Sequence, residues 1–172
     1  MSRKTSWSLG VLLTLGLIAT VWLNWPRTAF TFTTLSSADI AGVTGTAEDN
    51  YRLRVHLTGV RYTTTLKPWT ELAEPARSLW AVLSFEDVAA NGGKLSMYRT
   101  QRLQDPTLPS LAEVAASYQN LGAKHLAAWL VEADRSKGAA YESVPAALLT
   151  EGHAAWLVST RQQAEEIARR LP

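Results

Sequence analysis

Pro75-Ala76-Arg77-Ser78-Leu79-Trp80-Ala81-Val82-Leu83-Ser84-Phe85-Glu86-Asp87-Val88-Ala89-Ala90-Asn91-Gly92-Gly93 is the stretch that decides the fold. Proline suits a first helical turn, where its missing N–H would go unpaired anyway, and residues 76–90 contain no further breaker. On such a helix Leu79, Val82 and Leu83 lie on one side and Trp80, Phe85 and Val88 on others. A helix apolar around most of its circumference is buried among other helices, so the stretch predicts an all-α, compact multi-helix domain. Asn91, Gly92 and Gly93 predict the stop, because Asn and Gly adopt the left-handed conformation that closes a helix.

Towards the C-terminus, residues 94–103 predict a short helix and Gln104-Asp105-Pro106-Thr107-Leu108-Pro109 a loop. Ser110 and Glu113 form a capping box, each side chain accepting from the other's backbone N–H, and open a helix that ends near Asn120-Leu121-Gly122. Another helix follows, with Leu126, Trp129, Leu130 and Ala133 at helical spacing, and stops before Gly138. Two stretches carry mixed signals. Tyr51, Leu53, Val55 and Leu57 alternate with polar residues as in a strand, yet Leu53, Leu57 and Val60 also make a helical stripe. Helix is expected there, with an α+β arrangement of short strands near 51–57 and 154–158 as the alternative. The tail reads either as a strand over 154–158 feeding a capped helix or as one long helix from 151 to 171; Ser159 and Gln162 make a capping box, so a helix from Thr160 to Leu171 is expected.

Leu72 to Glu86, then Asn91-Gly92-Gly93, then residues 112–133 with Leu121-Gly122-Ala123 among them, resemble the bacterial DNA-mimic-protein-like helical family. In that family a helix ends in an Asn-Gly-Gly turn and later helices are joined by a Leu/Ile-Gly-Ala turn. The likeness covers roughly residues 70–135 and implies an all-helical fold. Val88, Lys94 and Ser96 stand where the family has Glu, Phe and Gln, while Met97 and Tyr98 keep the apolar or aromatic character that follows. The resemblance therefore carries no functional residue across. DNA mimicry needs a dense acidic surface, which this chain lacks.

The N-terminus predicts a location. Arg3 and Lys4 precede an uncharged run from Thr5 to Trp25, with Trp7, Trp22 and Trp25 at its limits, where indole rings would meet the headgroup level of a bilayer. At ~1.5 Å per residue, the run from Trp7 to Trp25 reaches roughly 28 Å, close to the ~30 Å hydrocarbon thickness. Small residues at the spacing of a cleavage site are missing, so residues 7–25 are expected to be a transmembrane signal-anchor rather than a cleaved signal. With Arg3 and Lys4 before the run and Arg27 after it, residues 1–6 are expected in the cytoplasm and the rest outside the inner membrane, in the periplasm or beyond. Residues 26–46, rich in Thr and Ser, read as a tether whose apolar residues Phe30, Phe32, Leu35, Ile40 and Val43 leave room for part of it to pack, leading to a helical domain over 47–172.

The chain has 17 Lys+Arg and 15 Asp+Glu, and setting aside Arg3 and Lys4 leaves equal numbers beyond the run. A neutral domain offers no electrostatic footprint for nucleic acid. Without cysteine there is no disulfide, thiolate metal site or cysteine nucleophile, and His56, His125 and His153 lack the paired spacing of a helix-borne metal site. No cofactor or metal is expected. Glu86 and Asp87 point about 100° apart on a helix and cannot face one another, and Glu86 is expected at a rim, bonded to an arginine. Two functions follow. The first is a membrane-anchored module that binds a protein partner through Lys94, Tyr98, Arg99 and Arg102, with the bilayer as its other contact through residues 7–25. The second is a hydrolase or lyase built on Glu86 and His125.

Overall fold

The stretch after Pro75 forms a helix in which Leu79, Ala81, Val82, Leu83 and Phe85 are all buried. The computed structural model describes residues 35–58, 69–90, 94–136 and 141–169, all within one compact unit. In chain order its helices are α1 (Ser37–Ala41), α2 (Ala47–Thr58), a 3₁₀ turn (Trp69–Glu71), α3 (Ala76–Ala90), α4 (Leu95–Gln104), α5 (Leu111–Leu121), α6 (Lys124–Ser136), α7 (Ala146–Gln162) and α8 (Ala164–Arg169). No strand occurs among the described residues; Lys94 and Ser143 make only an isolated antiparallel bridge. The all-helical expectation holds. The Asn91, Gly92 and Gly93 stop lies outside the described residues.

α3 is the hub, packed against α2, α4, α5 and α7, while α5 lies most extensively against α6. Phe85 of α3 is met edge-on by Tyr98 of α4 and Tyr118 of α5, with ring centroids 5.2 and 6.1 Å away. Trp80 stacks on Trp69 at 5.5 Å and 7°, and the Trp69 indole donates to the Thr107 carbonyl at 2.6 Å, closing the 3₁₀ turn against the loop before α5. The Ser110 box is present in full. Gly122, at φ +99, ends α5 in the left-handed conformation, and its Leu-Gly-Ala turn passes the chain straight into α6.

Two mixed readings resolve and one expectation is corrected. Part of the tether packs on the domain, as its apolar residues allowed: Ser36 and Asp39 make a full capping box for α1, and Leu35, Ile40 and Val43 are buried. The stretch 51–57 is helix, as expected, because Asn50, Leu53 and Leu57 fall on one buried face while Tyr51 turns to solvent, 59% exposed. At the tail, Ser159 does not start a helix. Gly152, Trp156, Ser159 and Thr160 make a buried stripe along α7, which runs on to Gln162 and breaks at Gln163. Ser159 Oγ accepts from the Gln163 side chain at 2.6 Å.

Among the described residues no helix is long and apolar enough to cross a membrane. The expected span at 7–25 lies outside them.

Candidate functional site

A carboxylate on the inward side of α3 needs partners from the helices that cover it. Glu86 finds them on α5 and α7. Tyr118 donates its hydroxyl to Glu86 Oε1 at 2.8 Å, and His153 Nδ1 lies 3.4 Å from Oε2. Trp156, one turn beyond His153, is fully buried, and its otherwise unpartnered indole N–H lies near enough to favour the charged carboxylate. Only 12% of the Glu86 side chain reaches solvent, against 40% for His153. Burial therefore pushes the Glu86 carboxyl above its ordinary 4.5, and the hydrogen bonds and charge of Tyr118, His153 and Trp156 offset only part of that rise.

Local sequence explains how these groups converge. Gly152 lets α7 approach closely, since a Cβ there would stand 2.5 Å from Leu126 Cδ2 and 2.8 Å from Tyr118 Cε1. Gly45, at φ +84, plays the same part on the other side of His153: a Cβ would lie 2.6 Å from Nε2. The His153 ring is also held edge-on to Trp156 at 5.1 Å. Tyr118 is fully buried and its hydroxyl is held well above the ordinary phenol range, by burial first and by the adjacent Glu86 second. Tyr118 is thus a donor and no nucleophile. What the cluster can do is hold or pass a proton between a buried carboxyl and a half-exposed imidazole.

His125 is not part of it. Its side chain is 86% exposed and pairs with Glu151 at 3.2 Å, while Glu151 also accepts from the His125 backbone N–H at 3.0 Å and so caps the first turn of α6. The expected pairing of Glu86 with His125 is therefore corrected to Glu86 with His153. The arginine expected beside Glu86 is found beside its neighbour: Arg54 of α2 forms an ion pair with Asp87.

The residues expected at a partner surface all lie on α4 or at its N-cap and differ in exposure. Tyr98 is buried, 1% exposed, and donates to the Pro109 carbonyl at 2.8 Å. Arg99 donates to the Ala133 carbonyl at 2.7 Å, tying α4 to the end of α6. Arg102 is half-buried. Of the four, Lys94 alone is plainly exposed. Tyr98 and Arg99 are thus engaged within the domain, and the solvent side of α4 is made by Ser96, Met97, Thr100, Gln101 and Leu103.

Two shallow grooves of about 280 and 540 Å³ share Glu74 and Asn120. Their polar groups are already engaged: Glu74 binds Arg77 and the Ser78 N–H, Glu113 completes the Ser110 box, and Asn120 donates to Ser78. Neither groove is lined by Glu86, Tyr118 or His153. Among the described residues, no group of His, Asp and Glu side chains could hold a metal ion. Compared with known protein families, curated proteins and solved structures, the chain matches none.

Proposed function

We propose that this protein is a membrane-anchored helical module that holds a protein partner at the outer face of the inner membrane, with residues 7–25 in the bilayer. The anchor rests on the uncharged run, its tryptophans and the basic residues before it. One observation carries the partner site: α4 leaves Met97 40% and Leu103 84% exposed, although Leu95 and Tyr98 of the same helix are buried to 1%. Large apolar side chains kept in water beside a long loop suit a surface covered by a partner. The likeness to the DNA-mimic-protein-like family remains part of this proposal, supported by the left-handed Gly122 turn between α5 and α6.

The test is made in intact cells. Photoreactive residues at positions 97 and 103 are expected to give a specific protein adduct, and Leu103→Asp to abolish it while leaving the melting midpoint unchanged. A folded protein without an adduct from either position overturns the reading. Reporter fusions after Pro172 check the topology, with activity expected only from the one that works outside the cytoplasm.

The Glu86–His153 pair favours a second reading, acid–base catalysis at the mouth of that cluster. It predicts a reaction lost in Glu86→Gln and in His153→Gln alike, with both variants folded.

A further inference from the structure

His56 is used by nothing described so far. It lies on α2 with 7% of its surface exposed, and its Nδ1 accepts a hydrogen bond from the backbone N–H of Leu35 at 3.1 Å. An imidazole that accepts at Nδ1 carries its proton on Nε2, and here Nε2 is buried without an acceptor. The ring is therefore neutral and fixed in one tautomer.

What it fastens is the segment that enters the domain. Leu35 is 8% exposed, Ile40 and Val43 are buried, and the Val43 carbonyl accepts from Arg161 Nε and Nη2 at 3.0 and 2.7 Å. His56 thus holds one end of residues 35–43 and Arg161 the other. The two fasteners differ in one respect: a guanidinium keeps its proton at every accessible pH, and an imidazole does not.

We propose that His56 is an acid-weakened latch: uptake of a solvent proton at Nδ1 removes the acceptor for the Leu35 N–H, so that residues 35–43 open from the remaining helices more often as pH falls. In the protonated ring N–H faces N–H, and the new charge is buried. Around it, Asp49 of α2 accepts from the Thr44 and Thr46 N–H groups, Glu48 of α2 and Glu165 of α8 are exposed, Glu166 of α8 is half-buried, and Arg169 of α8 donates to the Glu165 carbonyl. Asp39 of α1 is bound to Ser36, and Arg54 of α2 is paired with Asp87 of α3. On α7, Arg161 is bound to Val43 and His153 to Glu86. Arg52 of α2 is exposed. Burial alone lowers the basicity of His56, from 6.5 to about 4. Between those values the open state, with His56 in water, binds up to one more proton than the latched one, so the opening equilibrium rises by up to about tenfold per pH unit as pH falls. If residues 7–25 are held in a bilayer, release lengthens the reach of the domain from it; the latch itself does not depend on that.

Hydrogen exchange of the full chain from pH 7 to 4, corrected for intrinsic rates, tests this. Protection of the amides of residues 35–43 is expected to fall about tenfold per unit below pH 6.5, while that of α3 and α5, which exchange through global unfolding where Glu86 opposes His56, falls less steeply and from a higher level. In His56→Asn, whose amide oxygen replaces Nδ1 as an acceptor that does not titrate, that slope is expected to vanish. An equal slope in His56→Asn, a flat profile in the wild type, or loss of α3 and α5 protection in step with Leu35 would each overturn the proposal. Should the variant fail to fold, histidine titration of the wild type by NMR decides. His56 protonated at Nε2 alone down to pH 5 supports the latch, and titration near 6.5 refutes it.

Discussion

Glu86 shows how far a single residue can be read from sequence. It reads as a rim residue bonded to an arginine, and its burial was not legible because the partners that cover it, Tyr118 and His153, lie 32 and 67 positions away. The same remoteness hid the exchange by which Asp87, and not Glu86, takes the arginine. Burial of the carboxylate carries a cost that two substitutions separate. Glu86→Gln keeps an oxygen to accept from Tyr118 and removes the buried charge, so it is expected to unfold at higher denaturant than the wild type at pH 8. Glu86→Leu leaves the Tyr118 hydroxyl buried without an acceptor and is expected to lose about 1–3 kcal/mol. Equal midpoints for the two at pH 8 would show that Glu86 is effectively solvated.

Elements were legible wherever their signals were local. The Ser110 box, the Gly122 stop and the continuous apolar surface of α3 each depend on side chains within a turn of one another, and each forms. Ser110→Ala is accordingly expected to cost about 1 kcal/mol in chemical denaturation. Two equally local signals, Ser36 with Asp39 and Thr46 with Asp49, mark the starts of α1 and α2 and would have shown that the tether is folded. Ser159 with Gln162 looks the same and is not a cap, since the buried face shared by Gly152, Trp156 and Thr160 carries α7 through it. Packing overrides capping there. Gly152 illustrates the same rule in reverse: alanine has a helix propensity advantage of about 1 kcal/mol over glycine, but its methyl would strike the Tyr118 ring and Leu126. Gly152→Ala is expected to be net destabilising, by about 1–2 kcal/mol, and to weaken the Tyr118–Glu86 bond. A stabilised variant would mean that α5 and α7 can move apart freely.

At the scale of the whole molecule, Glu86 and His56 give stability opposite dependences on pH. His56 has a folded-state pKa below its unfolded value, so the unfolded chain binds more protons between pH 6.5 and about 4, and stability falls as pH falls through that window. The full loss is about 3 kcal/mol if the ring stays buried throughout. Glu86 has a folded-state pKa above its unfolded 4.5, so there the native state binds more protons. Its contribution is fully present below pH 4.5 and is lost as pH rises through the raised value. In the wild type the two slopes oppose one another, and partly cancel, from pH 4.5 up to the raised Glu86 value. Removing one should expose the other. In His56→Asn, urea unfolding is expected to show stability rising as pH drops through the raised Glu86 value; in Glu86→Gln it should fall as pH drops from 6.5 towards 4, approaching 1.4 kcal/mol per pH unit where His56 dominates. The sign of each slope is the readout, since it does not depend on how large either shift is. If both variants tilt the same way, one of the two side chains is not buried in the ionisation state assigned to it.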